Sequence, residues 1–312
     1  MGLRRGIVRS AMAVALLLAI LASWPGAAQG ETDGAASVVV TTEVLGAIVT
    51  DLVGDAAEVK VLMPGSVDPH AWQPSARDTE SIFDADFVVS NGLALEQGLV
   101  GILDQVASQG VPVFKATDHV TVRGADDSSE ERDGDADQRE GVVGVGDPHF
   151  WLDPLTMRDA VLAMARELAE AGIDVGGRAE RLVGSLGSLD AELTEILAVV
   201  PQGQRKLVTG HDSLGYFAER YGFEVVGTVI PGQTTLLEPS ARDLAALIRA
   251  IRDEGVTAVF AEVGTPQSVA RVVAEETGAQ VVELDIAKLP DGGSYEDLLR
   301  NLARSIADAL SG

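Results

Sequence analysis

The stretch ASVVVTTEVLGAIVTDLVGDAAEVKVLM (36–63) reads as a strand, a helix and a second strand. ASVVVTT (36–42) is a short β-branched run of the kind buried in a sheet. EVLGAIVTDLVG (43–54) spaces its apolar residues at the helical period, and AEVKVLM (57–63) is β-rich again. A strand, a crossover helix and another strand predict a parallel sheet. The rhythm continues outward. DFVVSNG (86–92) and VPVFKAT (111–117) are further strands, with ALEQGLVGILDQVASQG (94–110) as a helix between them.

From Thr156 to Val200 the pattern turns helical. MRDAVLAMARELAEAG (157–172) is followed by RAERLVGSLGSLDAELTEILAVV (178–200). At ~1.5 Å per residue the second could run the length of a small domain. The α/β rhythm then resumes. Strands are expected at RKLVTG (205–210), FEVVGTV (223–229), VTAVFAE (256–262) and AQVVELD (279–285). Helices are expected at 213–222, 239–255, 266–278 and 294–310. The expected fold is therefore α/β: two lobes, each a mostly parallel sheet with flanking helices, joined by one long backbone helix. The expected boundaries are 36–155 for the N-terminal lobe, 174–200 for the linking helix and 201–312 for the C-terminal lobe.

Two segments stand outside this rhythm. Arg4, Arg5 and Arg9 precede the apolar run AMAVALLLAILASW (11–24) and the small residues of PGAAQG, the pattern of a signal peptide over 1–28. The run is shorter than the ~20 apolar residues of a spanning helix. With no cysteine to carry a lipid, the expected product is a soluble protein, periplasmic or extracellular. The second segment, DDSSEERDGDADQREGVVGVG (126–146), is acidic and poor in large apolar groups, as expected of a loop.

The formal net charge is −25. Nucleic-acid phosphates need neutralising by Lys and Arg, so a nucleic-acid partner is not expected. The absence of cysteine excludes disulfides and thiolate metal sites. Any metal must be held by His, Asp, Glu or backbone oxygen, which suits Zn²⁺ or Mn²⁺ better than copper(I).

The chain has four histidines. Two share one setting, DPHAW (68–72) and DPHFW (147–151). Proline fixes its own φ and restricts the aspartate before it, which stiffens the entry to the histidine. The aspartate can also hold an imidazole N–H, orienting the ring and raising its basicity. Trp72 and Trp151 can shield such a site from water. In open parallel sheets ligands lie beyond the carboxyl ends of the strands. His70, His211, Glu262 and Asp285 each follow a predicted strand, and His149 stands where the first lobe meets the helical region. Three imidazoles and a carboxylate make a set for Zn²⁺.

Other readings of these residues stay open. A proline-bounded turn with a buried tryptophan can be purely structural, and Glu262 and Asp285 can each cap a helix. His119, in ATDHVTV, is expected to be an ordinary loop histidine. GHDS (210–213) sets His, Asp and Ser side by side, but triad residues meet in space and not as neighbours. A zinc hydrolase with Glu262 as base is a remaining enzyme reading. A metal-chelate binder would want a larger pocket with aromatic or arginine contacts. Only 4% of the chain is aromatic, and no arginine cluster lies near the motifs in sequence.

VDPHAWQPSARD (67–78), NGLALEQGL (91–99), DPHFWLDP (147–154), TGHDSLGYFAERYGF (209–223), EPSARDLAALI (238–248), VFAEVGTPQS (259–268) and VVELD (281–285) together resemble the zinc/manganese solute-binding proteins of metal-uptake ABC transporters. The resemblance runs in order along nearly all of the chain after the leader. It implies a metal between two lobes, held by His70, His149, His211 and Asp285. Glu262 is implied beside the site, behind a ligand or as an occasional ligand. It implies a non-enzymatic receptor, expected as a monomer, that delivers its ion to a membrane permease. Members that take manganese often carry glutamate at the third position, so His211 favours Zn²⁺, with Mn²⁺ as the alternative. A third reading, adhesion, stays open. Many zinc members carry a histidine-rich loop where this chain has carboxylates at 126–146.

Overall fold

The computed structural model describes residues 35–124 and 146–311. The leader at 1–28 lies outside the described residues, and so does the acidic loop apart from Gly146.

The opening stretch forms β1 (Ala36–Thr42), α1 (Glu43–Val53) and β2 (Ala57–Met63). The Thr42 hydroxyl accepts the Leu45 N–H at 3.4 Å and so starts α1 as its side chains turn inward. The lobe continues through α2 (Ala76–Phe83), β3 (Phe87–Ser90), α3 (Val100–Ser108) and β4 (Val113–Lys115). Its strands lie in the order β2-β1-β3-β4, all parallel, with Val38 opposite both Val59 and Phe87. Two long helices follow, α4 (Pro154–Glu170) and α5 (Arg178–Leu197). The second lobe comprises β5 (Lys206–Thr209), α6 (Gly215–Tyr221), β6 (Glu224–Thr228), α7 (Ala241–Glu254), β7 (Ala258–Ala261), α8 (Gln267–Thr277) and β8 (Gln280–Glu283). Its order is β6-β5-β7-β8, again all parallel and again the same winding. The C-terminal helix α9 (Tyr295–Leu310) returns to pack on α5.

Strand alternation divides the core. Val38 and Val40 point into a large cluster shared with α1, α4, α5 and α9, while Val39 points the other way, against Ile82, Leu103 and Val106 of α2 and α3. The second sheet repeats this. Leu207 and Phe260 enter the shared core; Val208 and Val259 face Leu247, Ile251 and Val273 of α7 and α8. Residues two apart share a face, so one strand can serve two cores. Leu182, Leu186, Leu189, Leu193 and Leu197 form the buried stripe of α5. At ~1.5 Å per residue this helix is about 30 Å long. It is shorter than the predicted 174–200: residues 176–177 form a turn ahead of it, and it ends at Leu197.

Two local expectations change. The predicted helix over 94–110 occupies only Val100–Ser108. Before it, Leu93 and Ala94 take φ of 49° and 54°, and the Glu96 carboxylate accepts the Asn91 N–H at 2.7 Å. The positive φ of two residues breaks the helical path, and the Glu96 side chain, turned back onto the Asn91 N–H, holds the chain in a loop. The second change is α2, which hydrophobic spacing does not announce. Its start is a capping box, Ser75 with Asp78, and α7 begins the same way with Ser240 and Asp243. Both lie in the word PSARD (74–78 and 239–243), and both helices cross from the second to the third strand of their lobe. Among the described residues no helix is long and apolar enough to cross a membrane.

Candidate metal centre

Both Asp-Pro-His words fold alike at the backbone. Asp68 Oδ1 accepts the His70 N–H at 3.0 Å, and Asp147 Oδ1 accepts the His149 N–H at 3.0 Å. Each aspartate thus closes a small turn that presents the histidine two residues on. His70 leaves the carboxyl end of β2; His149 precedes α4, whose first turn is fixed by Pro154 and the Asp153 cap. His211 follows β5, where the Thr209 hydroxyl donates to the His211 carbonyl at 2.5 Å.

These three segments, one leaving each sheet and one entering α4, bring His70, His149 and His211 together. One ligand atom from each can be chosen so that all lie within 4.8 Å of one another, and all three side chains are buried. The Nε2 atoms of His149 and His211 stand 3.1 Å apart. Two nitrogens bound at ~2.05 Å to one tetrahedral zinc would stand roughly 3.3 Å apart, so the spacing fits. His149 donates Nδ1–H to Asp147 Oδ1 at 2.9 Å, which leaves its Nε2 lone pair toward the cavity. Among the described residues, both ring nitrogens of His70 and the Nδ1 of His211 are buried without a hydrogen-bond partner. Buried polar groups are nearly always satisfied, so this concentration of orphans marks a place for a cation. The cavity is lined by the three histidines with Asp68, Trp151, Val263 and Ile286 among others, and its volume is about 10 Å³, room for an atom-sized occupant.

The surrounding groups are ordered by charge. Asp147 is fully buried, and its second oxygen takes the Arg123 guanidinium at 3.2 Å. Gly215 makes this approach possible: a Cβ there would meet both the guanidinium and Asp147 Oδ2. Glu262 follows β7, buried, with one oxygen 3.7 Å from His211 Nδ1. That distance is an electrostatic contact and too long for a hydrogen bond. Ser213 and Thr265 hydroxyls donate to the same carboxylate at 2.7 and 3.2 Å. Burial pushes the Glu262 carboxyl up, but His211 and the Ser213 hydroxyl outweigh it and hold it below its ordinary value. The adjacent GHDS residues thus serve this centre, with Ser213 orienting Glu262.

Burial, reinforced by the facing His149 and His211, lowers the His70 pKa to about 2. The imidazole is therefore neutral and able to ligate throughout the physiological range. The stability consequence follows from linkage. In the unfolded chain His70 takes up a proton below about 6.5, while the folded site refuses it until about 2. The metal-free fold should hold this contribution in full above that range and lose it as pH falls, by up to ~1.4 kcal/mol per pH unit. Urea midpoints of the chelator-treated protein between pH 7.5 and 5 should fall, with a shallower slope for His70→Phe. Equal slopes for the two proteins would assign the acid sensitivity to other groups.

Asp285 is not brought into this group. Leu284 and Ile286 are buried and Asp285 between them is exposed, as strand-like alternation demands. The Leu284 N–H still bonds Ala261, and the Ile286 carbonyl accepts the Trp151 indole N–H at 2.7 Å. These two anchors turn the intervening side chain outward, into a separate cleft with Glu262 and Glu283. The tryptophans also part company. Trp151 lies 5.3 Å from the His149 ring and walls the cavity, whereas Trp72 packs against the outer core of the first lobe. His119 stacks on Phe114 and pairs with Glu167 at 3.1 Å, away from the centre. The fold does assemble arginines that the sequence keeps apart. Arg123, Arg158 and Arg220 line a cleft of about 550 Å³, but each is paired, with Asp147, Asp159 and Asp153 respectively.

Two parallel-sheet lobes with a buried histidine cavity fed by loops of both define a bilobal protein with a candidate metal centre. The family model described as ZnuA, zinc-uptake complex component A, periplasmic, matches residues 38–309, and the chain belongs to that family. It is 29% identical over 261 residues to the zinc-binding lipoprotein AdcA of Streptococcus pneumoniae, covering 81% of this chain and 50% of AdcA. The chain spans about half the length of the AdcA proteins it matches. It is 25% identical over 311 residues to the manganese-binding lipoprotein MntA of Halalkalibacterium halodurans, covering 96% of this chain and 97% of MntA. Among solved structures, a ZnuA deletion mutant with zinc bound superposes with a TM-score of 0.72 at 27% identity, covering 89% of this chain and 99% of that one.

Proposed function

We propose that this protein is an extracytoplasmic receptor that captures Zn²⁺ between its lobes and delivers it to the membrane permease of an ABC transporter. The observation that carries the reading is the cluster of three buried imidazoles with orphaned ring nitrogens. His70, His149 and His211 are the proposed ligands. A fourth position would come from water or from Asp285 after a rearrangement of its loop, and Glu262 supports His211 from behind. The narrow cavity favours a bare ion over a metal chelate.

Manganese is the second reading, favoured by the match along nearly the whole of MntA. The donor set weighs against it: imidazole suits zinc, whereas Mn²⁺ prefers added carboxylate and carbonyl oxygen. Export by a leader at 1–28 and action as a monomer complete the proposal. Metal analysis of the purified protein, followed by competition titration of Zn²⁺ against Mn²⁺, tests it. Zinc should be retained in a one-to-one ratio and displace manganese. Preferential retention of manganese would select the second reading, and indifference to both metals would remove the receptor reading.

A further inference from the structure

The two Asp-Pro-His words, alike in sequence and in backbone turn, differ in what holds their second carboxylate oxygen. In the 147–149 word that oxygen is tied to Arg123 and the first oxygen also reaches the His149 ring. The His149 loop is further pinned by Asn91, whose side-chain amide donates to the Pro148 carbonyl at 2.9 Å. Both oxygens of Asp147 are thus held by side chains of this arm's own lobe, and the second lobe reaches Asp147 only at the backbone among the described residues, where the Tyr216 hydroxyl donates to the Asp147 carbonyl at 3.3 Å. The 68–70 word has no such support. Among the described residues the His70 ring has no hydrogen-bond partner, and Asp68 Oδ2 instead accepts the Thr235 hydroxyl at 2.5 Å, 167 residues away in the loop between β6 and α7. The spare oxygen of this word is therefore held from the opposite lobe, while the start of the loop is tied to its own lobe by the Gly65 N–H, which donates to the Glu43 carboxylate.

The fit around that contact is close. Gly264, at φ 89°, sits against it, and a Cβ there would come within 2.6 Å of Asp68 Oδ2 and 2.8 Å of Thr235 Cγ2. The neighbouring Val263 lines the histidine cavity. Gly65, at the start of the same loop, is pressed against the backbone of Ala287 and Lys288. The second lobe thus touches the His70 loop near both its ends, but only Thr235 does so through a hydroxyl that a single atom exchange can remove.

We propose that Thr235 is a positioning residue that, through Asp68, latches the His70 loop across the cleft and sets how long a bound ion stays. The physical basis is direct. Asp68 ties the His70 backbone N–H with one oxygen and the far lobe with the other, so opening the Thr235 contact frees the turn that presents His70. A hydrogen bond to a charged acceptor is among the stronger ones, and its loss should change opening by on the order of tenfold or more. The residence-time part rests on the receptor reading above; the latch itself does not.

Two measurements separate these. In chelator-treated protein, amide exchange across 67–72 should quicken in Thr235→Val, which keeps the shape and loses the hydroxyl, and return to the wild-type rate in Thr235→Ser. Unchanged exchange in Thr235→Val, or equal exchange in both variants, overturns the latch. In zinc-loaded protein, release into excess EDTA should be on the order of tenfold faster in Thr235→Val and near wild type in Thr235→Ser. Equal release rates in all three proteins overturn the residence-time role even where exchange has changed. The melting temperature of metal-free Thr235→Val should fall by only a few degrees, as one lost contact of that size requires, and recover in Thr235→Ser; exchange that quickens across 67–72 and not along the whole chain is what a merely structural contribution would not give. A wild-type protein that holds no zinc refutes the receptor reading, and the exchange result then decides the latch alone.

Discussion

His149→Ala and His211→Ala should each cost the protein most of its zinc affinity. Structural zinc sites bind with about 10–16 kcal/mol, so one of four ligands is worth ~3 kcal/mol, about a hundredfold or more in Kd. These two residues should show the loss most cleanly, because their Nε2 atoms already face each other at 3.1 Å and Asp147 fixes the tautomer of one. Little reorganisation is available to replace either. His119→Ala is the internal control: its ring is engaged with Phe114 and Glu167, and it should bind zinc as the wild type does. Calorimetric or chelator-competition titration of the purified variants reads the result. Comparable losses in all three variants would mean that the centre has been placed wrongly.

The strand and helix rhythm was legible because the central strands β1, β3, β5 and β7 are short apolar runs buried on both faces and most of the helices between carry an apolar stripe. Where that signal thins, the reading thins with it. The segment ARDTESIF of α2 has Ile82 as its only fully buried residue, so no stripe was there to see. What marked it was the Ser75–Asp78 capping box, repeated as PSARD before α7. The histidines were legible for a different reason: two share a stiffened context in a chain that has only four. Asp285 was singled out by its place after a predicted strand and named as a ligand by resemblance, and the structure places its side chain outward because buried neighbours on both sides fix the alternation.

The supporting residues were beyond reach. The contact of Arg123 with Asp147 crosses 24 positions, and that of Thr235 with Asp68 crosses 167. Neither pair leaves a local pattern, since an arginine or threonine in a loop looks the same whether or not a distant carboxylate meets it. The DPH repeat even misled in one respect. It implied that both aspartates hold an imidazole, whereas only Asp147 does; Asp68 holds the backbone of His70 and a hydroxyl of the other lobe. Sequence identity fixed the turn, and tertiary context fixed the job of the spare oxygen.

Zinc should raise the melting temperature of the metal-free protein by a large margin. The metal-free fold keeps three imidazole nitrogens buried and unpaired, a cost that binding relieves. A ligand that binds only the folded state adds RT ln(1 + [L]/Kd), about 4 kcal/mol at a thousand times Kd. For a chain of this size each kcal/mol is worth roughly 2–4 °C, so the shift should be roughly 8–16 °C. Manganese at the same concentration should shift it less, because the clustered donors are imidazoles with no carboxylate among them. The comparison with His149→Ala gives the result its meaning. If the shift arises in this cavity, the variant should lose most of it, whereas zinc collected by scattered surface carboxylates would stabilise both proteins alike. A wild-type protein whose melting is indifferent to both metals would leave the buried histidines without the ion their geometry calls for.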